Sequence, residues 1–220
     1  MMLRICHLYG NMLNTYGDNE NLLMLQYEAR QRGIKTATTL VSLKEPFNPD
    51  DFDFVFIGGG QDYEQRLVAR DIRQKRSALA NYIEHGGHLL AICGGFQLLG
   101  HYYETVQGEK LAGSGLVDCY TTQPQTDTRP RLIGDIEIYQ EEFSLKLCGY
   151  ENHAGRTFLG PETKPLGKVI KGFGNTETEG VEGCHYKNVY GTYLHGPFLV
   201  RNPQFTALLI DHIMQNKKEA

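Results

Sequence analysis

The 220-residue chain has no apolar run long enough to cross a bilayer, and Met1-Met2-Leu3-Arg4-Ile5 leads straight into a strand-like segment instead of a signal-peptide pattern. A cytoplasmic protein with no direct membrane insertion is expected. Positive charge is not in excess: 22 Lys and Arg against 26 Asp and Glu leave a net charge of −4, with no basic block to suit nucleic acid. No Cys-x-x-Cys pair occurs. The five cysteines (Cys6, Cys93, Cys119, Cys148, Cys184) are scattered and odd in number, which argues against a disulfide framework or zinc knuckle and for reduced thiols with no metal. Nucleotide fingerprints such as Gly-x-x-x-x-Gly-Lys-Ser/Thr are missing, as are repeats, low-complexity tracts and a convincing linker. Residues 1–220 therefore read as a single domain, long enough to bury a substantial core.

What is present alternates. Leu3 to Tyr9 reads as a buried strand. A loop containing Tyr16-Gly17-Asp18 comes next, then a helix from Glu20 to Arg32 with Asp18 or Asn19 as its cap and Gly33 at its end. Ile34 to Val41 and Phe52 to Ile57 read as strands around a surface loop from Lys44 to Asp51. Gly58-Gly59-Gly60 stops the third strand, and a helix of about Asp71 to His85 closes at Gly86-Gly87. This order predicts an α/β fold with a mostly parallel central sheet flanked by helices and a site at the strands' carboxyl ends. The second half turns toward antiparallel β: Arg131 to Tyr139 alternates, Leu145 to Phe158 and Asn188 to Leu194 look extended, and Tyr120 to Pro130 reads as a flexible loop. A last helix starts at Asn202-Pro203 and runs to about Gln215, before a polar tail.

The most informative stretch is Leu89-Leu90-Ala91-Ile92-Cys93-Gly94-Gly95-Phe96-Gln97-Leu98-Leu99. An apolar strand delivers Cys93 into a Gly-Gly turn that opens a helix, the pattern of a nucleophile elbow with cysteine in place of serine. Such a turn crowds the positions two before and two after the nucleophile, and Ala91 and Gly95 are small there. The helix start favours a thiolate and offers the Gly94 N–H to an oxyanion. A buried structural cysteine would not require small residues on both sides.

An activated cysteine needs a base and a second oxyanion donor. Among eight histidines, His195 ends a strand-like segment ahead of Gly196-Pro197 and can project over the same sheet edge; His153 is its rival. His85, His88, His101 and His212 sit in or beside helices. His7 and His185 adjoin Cys6 and Cys184 without metal-ligand spacing. Gly59 or Gly60 offers the second donor, because a glycine triplet at a strand's carboxyl end lets N–H groups approach a substrate oxygen.

Four segments in this order, Phe56-Ile57-Gly58-Gly59-Gly60, Ala91 to Gly100, Gly149-Tyr150-Glu151-Asn152-His153-Ala154-Gly155-Arg156-Thr157 and Tyr193-Leu194-His195-Gly196-Pro197, resemble the class I glutamine amidotransferases of the cobyric-acid-synthase-like branch. Asn14 to Asp18, Arg131 to Asp135 and Glu182 to Asn188 look most like that branch's glutaminase subunits of lipid II isoglutaminyl synthase. The resemblance implies the flavodoxin-like amidotransferase fold with an antiparallel β extension. It also implies L-glutamine as substrate, Cys93 as nucleophile, His195 as acid and base, and an oxyanion hole from Gly59, Gly60 and Gly94. Gln97 would line the glutamine pocket, and Arg131 would hold the α-carboxylate, with Arg129 able to exchange roles after a small loop shift.

One departure stands out. Many class I amidotransferases carry a glutamate two residues after the histidine, where this chain has Pro197. Asp18, Glu151 and a partner subunit are the candidates for the third acid, Asp18 otherwise being a helix cap and Glu151 a buried structural group. The resemblance further implies a heterodimer with a MurT-like Mur-ligase subunit, with ATP and Mg on that partner and no cofactor in this chain. Its ammonia would amidate the D-glutamate of lipid II. A different carboxylate acceptor, or a catalytically silent regulatory subunit, are the alternatives.

Overall fold

The computed structural model describes residues 1–124 and 129–219. In chain order the elements are β1 (Met2–Leu8), α1 (Asn19–Gln31), β2 (Lys35–Val41), β3 (Phe54–Ile57), α2 (Asp62–Gln74), α3 (Arg76–Glu84), β4 (His88–Ile92), α4 (Gly94–Leu99), β5 (Tyr102–Glu104), β6 (Lys110–Ala112), β7 (Cys119–Thr122), β8 (Leu132–Gln140), β9 (Leu145–His153), β10 (Arg156–Leu159), β11 (Gly167–Lys171), β12 (Val181–Glu182), β13 (Cys184–Tyr186), β14 (Val189–Thr192), α5 (Phe198–Arg201) and α6 (Pro203–Glu219).

The central sheet has the order β13-β14-β4-β3-β1-β2. Its last five strands are parallel, and β13 adds an antiparallel edge. All residues of β3 and β4 are buried, as apolar strands covered on both faces should be. One face packs Val68, Ile72, Leu79 and Ile83 of α2 and α3. The other packs Leu22 and Leu25 of α1 with Leu209 and Ile213 of α6. Two four-stranded sheets, β10-β7-β5-β6 and β12-β11-β8-β9, complete the fold. Only β5 and β7 are parallel within them. The expected mostly parallel sheet with an antiparallel extension is therefore what forms.

Several boundaries differ from expectation. The helix expected over Asp71–His85 is two, starting earlier at Asp62 and interrupted at Lys75, whose side chain folds back to pair with Asp71. The extended run Leu145–Phe158 breaks at Ala154-Gly155, so that β9 and β10 enter different sheets. Gly155 permits the passage: a Cβ there would stand 2.4 Å from Thr121 Cγ2. The last helix continues to Glu219. Of the loop expected over Tyr120–Pro130, residues 125–128 lie outside the described residues, as does Ala220 of the polar tail.

Candidate active site

Strand register assembles the site. Ile57 pairs with Ala91 and Ile92 with Thr192, so β3, β4 and β14 end side by side. Gly58-Gly59-Gly60 after β3, Cys93 after β4 and Tyr193-Leu194-His195 after β14 therefore emerge at one sheet edge. β1 lies on the far side of β3, and its loop brings Asp18 to the same edge.

Cys93 has φ 48° and ψ −105°, a costly backbone for a side chain-bearing residue. Neighbouring groups hold it there: its N–H donates to Thr192 O at 2.8 Å, and its carbonyl accepts from Gln97 N–H at 3.0 Å. A Cβ on Gly95 would stand 2.7 Å from Gly58 O and 2.8 Å from Ile57 O, both backbone atoms. That close approach to β3 is why the residue two after the cysteine is glycine. Since α4 has only six residues, what it offers an oxyanion is individual N–H groups more than a macrodipole.

The glycine triplet is packed as tightly. A Cβ at Gly58 would meet Leu13 O at 2.3 Å, and one at Gly59 would lie 3.1 Å from Asp18 Oδ2 and 3.4 Å from both Cys93 Cβ and His195 Cε1. Gly59 thus sits at the centre of three functional side chains. Its N–H donates to Asp18 Oδ2 at 2.6 Å, so of the two glycines offered as the second oxyanion donor Gly59 is the one already engaged. Gly60 N remains close to the elbow, 2.9 Å from where a Cβ on Gly94 would be.

Asp18 is not the helix cap expected of it. It stands at the N-cap position of α1, but its side chain makes no capping bond; Asn14 Oδ1 accepts from Asn19 N–H instead. With one oxygen on Gly59, its other, Oδ1, lies 3.4 Å from His195 Nδ1. Both side chains are nearly fully buried.

His195 is fixed by an antiparallel backbone pair with Tyr150 and by the Gly196 turn, whose φ of +101° suits glycine. Burial alone would lower its pKa. The Asp18 carboxylate on Nδ1, together with the nearby Cys93 sulfur, outweighs that and raises it to about 10. His195 Nε2 is buried and has no hydrogen-bond partner among the described residues.

The rival His153 stacks on Tyr193 with centroids 3.6 Å apart and bonds Gly155 O through Nδ1. Burial lowers its pKa, against the partial compensation of Glu151, so it is held as a neutral wall residue. Glu151 accepts from the N–H groups of Phe173 and Gly174, the structural role that was its alternative. Glu182, which opens the matching segment Glu182 to Asn188 but takes no role of its own from that resemblance, is buried beneath the histidine strand and accepts from Thr192 Oγ1 and Tyr193 N–H.

A cleft of about 520 Å³ opens over Cys93, and Gln97 and Arg131 both line it. Gln97 is committed within the wall: Gln65 Nε2 donates to its Oε1 at 2.8 Å, and its Nε2 donates to Tyr193 OH at 3.1 Å. Gln65, a buried polar residue on α2, carries no sequence signal because only the tertiary fold turns that helix face toward the elbow. Arg129 lies over the Phe173 ring, 4.3 Å from its centroid, so of the two candidate arginines the fold brings Arg131 to the cleft.

A strained cysteine, a raised histidine with an acid behind it and a polar cleft suit acyl transfer from a carboxamide. Residues 4–203 match the model of the CobB/CobQ-like glutamine amidotransferase domain. The chain belongs to this family. It is 47% identical to the lipid II isoglutaminyl synthase (glutamine-hydrolyzing) subunit GatD of Streptococcus pneumoniae, over 98% of this chain and 82% of that one. Identity to the subunit of the same name from Staphylococcus aureus is 40%, over 98% and 86%. Cobyric acid synthase of Listeria innocua is 30% identical over 82% of this chain and 36% of that longer one. Among solved structures, PurLQS from Thermotoga maritima superposes with a TM-score of 0.66 at 15% identity, covering 98% of this chain and 99% of that one, a likeness of fold. As a CobB/CobQ-like amidotransferase, the chain carries the amidotransferase domain over nearly its whole length. No helix among the described residues is long and apolar enough to cross a membrane.

Proposed function

We propose that this amidotransferase is the glutaminase subunit of a lipid II isoglutaminyl synthase. The observation that carries the chemistry is the convergence of Cys93, His195 and Asp18 around Gly59. The Cys93 thiolate attacks the side-chain carboxamide carbon of L-glutamine, and the N–H groups of Gly94 and Gly60 receive the oxyanion. His195, protonated and oriented by Asp18, gives its proton to the departing nitrogen as the C–N bond breaks, releasing ammonia and leaving a γ-glutamyl thioester. Neutral His195 then takes a proton from water, which attacks the thioester; glutamate leaves and the thiolate returns. Arg131 meets the α-carboxylate and Gln97 shapes the pocket wall.

Free ammonia is lost to protonation and diffusion, so the subunit docks on an ATP-using ligase. The 47% and 40% identity to GatD subunits along 98% of the chain supports a MurT-like Mur-ligase partner in a heterodimer. ATP and Mg reside on that partner, the acceptor is the D-glutamate of lipid II, and the complex works at the cytoplasmic side. The test is ammonia release from glutamine by wild type and Cys93→Ala, alone and with the co-purified ligase. Loss in Cys93→Ala with amidation of lipid II is expected. Unchanged release in Cys93→Ala overturns the mechanism, and glutaminase activity without lipid II amidation points to another carboxylate acceptor.

A further inference from the structure

A chain of contacts spans the cleft from Tyr16 to Arg131 through a residue to which glutamine hydrolysis assigns no step, Asn152. Tyr16 has φ 57°, a left-handed backbone that is costly for an aromatic residue, and it stays 55% exposed, so burial does not repay that cost. Its ring stands edge-on to His195, with centroids 5.0 Å apart at 75°. Its hydroxyl accepts from Asn152 Nδ2 at 2.9 Å. Asn152 Oδ1 in turn accepts from Arg131 Nε at 2.9 Å and Nη2 at 2.7 Å, and the Asn152 carbonyl accepts from Nη2 at 3.0 Å. Tyr16, Asn152 and Arg131 all line the Cys93 cleft. The strap that carries Tyr16 is pinned below by Gly59, whose carbonyl accepts from Thr15 N–H at 3.0 Å.

We propose that Asn152 is a positioning residue that sets glutamine specificity by fixing Arg131 and, through Tyr16, referencing it to His195. The inference rests on the glutaminase reading. A guanidinium can meet a carboxylate through its Nε–Nη2 edge or through its Nη1–Nη2 end. Asn152 fills the first edge and also takes a hydrogen bond from Nη2, so Nη1 is the nitrogen left without a hydrogen bond among the described residues. Arg131 is exposed at the start of β8 and would otherwise swing through many rotamers. Clamped by Asn152, it presents one donor group at one angle to the α-carboxylate. The other arm of the same amide holds the ring that flanks His195, so the two ends of the substrate are measured from a single side chain.

The test is steady-state glutaminase kinetics, with the ligase partner bound, on L-glutamine and on its α-amide, in which a carboxamide replaces the carboxylate. Asn152→Ala is expected to raise KM for glutamine about tenfold with kcat changed less than about threefold, the scale of one charge-assisted hydrogen bond. KM for the α-amide should stay put, so discrimination between the two substrates narrows. Arg131→Ala combined with Asn152→Ala should be no worse than Arg131→Ala, because one acts through the other. Additive effects, or a fall in kcat with unchanged KM, would overturn the proposal. Asn152→Ser, which retains a polar group too short to span both partners, should reproduce the KM effect if the alanine variant folds poorly. Failure of the underlying reading is seen separately, as wild type without Cys93-dependent glutamine hydrolysis.

Discussion

Asp18 and His195, 177 positions apart in sequence, meet as a buried pair with Oδ1 3.4 Å from Nδ1. The same carboxylate takes the Gly59 N–H on its other oxygen. One carboxylate in this chain therefore touches both His195 and the glycine strand, where the position two after the histidine is Pro197.

Asp18→Asn keeps the shape and removes the charge. Without that carboxylate, burial draws the pKa of His195 down from about 10. His195 must be protonated to release ammonia, so the alkaline limb of kcat/KM should move to lower pH and kcat should fall roughly 10- to 100-fold. Measuring kcat/KM from neutral pH into the alkaline range tests this; an unmoved alkaline limb would show that Asp18 does not act on His195.

Two glycines should respond oppositely to alanine. At Gly95 the new methyl meets backbone oxygens at 2.7 and 2.8 Å, so Gly95→Ala should cost about 1–3 kcal/mol of stability, as overpacking does. At Gly59 the nearest atoms are side chains at 3.1–3.4 Å. Gly59→Ala should keep most of its thermal stability while losing glutaminase activity, since the methyl presses on Asp18, Cys93 and His195 together. Equal losses of Tm in both variants would refute the distinction.

Burial lifts the carboxyl of Glu182 from its ordinary value of 4.5 to about 8, against the opposing pull of Tyr193 N–H and Thr192. Between those values the folded protein keeps a proton that the unfolded chain gives up, so stability falls as pH rises through the window. Glu182→Gln cannot ionise. Its Tm should therefore decline less than that of wild type between pH 5 and 9, and parallel thermal melts of the two proteins would decide the point.

Lys75 and Asp71 form a buried ion pair at the break between α2 and α3, and Asp71 also accepts from Tyr9 OH and Lys44 N–H, each at 2.8 Å. Despite burial, Lys75 and the hydrogen bonds from Lys44 and Tyr9 hold Asp71 below the usual carboxylate range. Lys75→Met leaves that carboxylate buried without its cation and should destabilise the fold by about 3 kcal/mol. The pair lies outside the cleft, so KM for glutamine should not change, and denaturant unfolding beside a glutaminase assay checks both halves.

The chain's own order determined much of this protein. An apolar run, a cysteine and two glycines favour a sharp turn between buried strand and helix, because local sterics at Ala91 and Gly95 act over a few residues. Strand alternation and the glycine stops likewise are local, and they located the sheet edge where Cys93, His195 and the triplet gather. Tertiary structure alone decided which distant groups meet there. Asp18 was open between a helix cap and a candidate acid until the β1 loop folded over β3 and set its carboxylate between Gly59 and His195. Gln65 looked like an ordinary polar residue, and Asn152 was one member of a matching segment with no role of its own, until α2 and β9 turned them toward the cleft. Resemblance prefers Arg131, but Arg129, two residues away, could exchange roles with it by a small loop shift; they separated when Phe173 took one and Asn152 the other. Hydrogen bonds across 21 to 177 positions are set by how layers pack, and no local pattern records them.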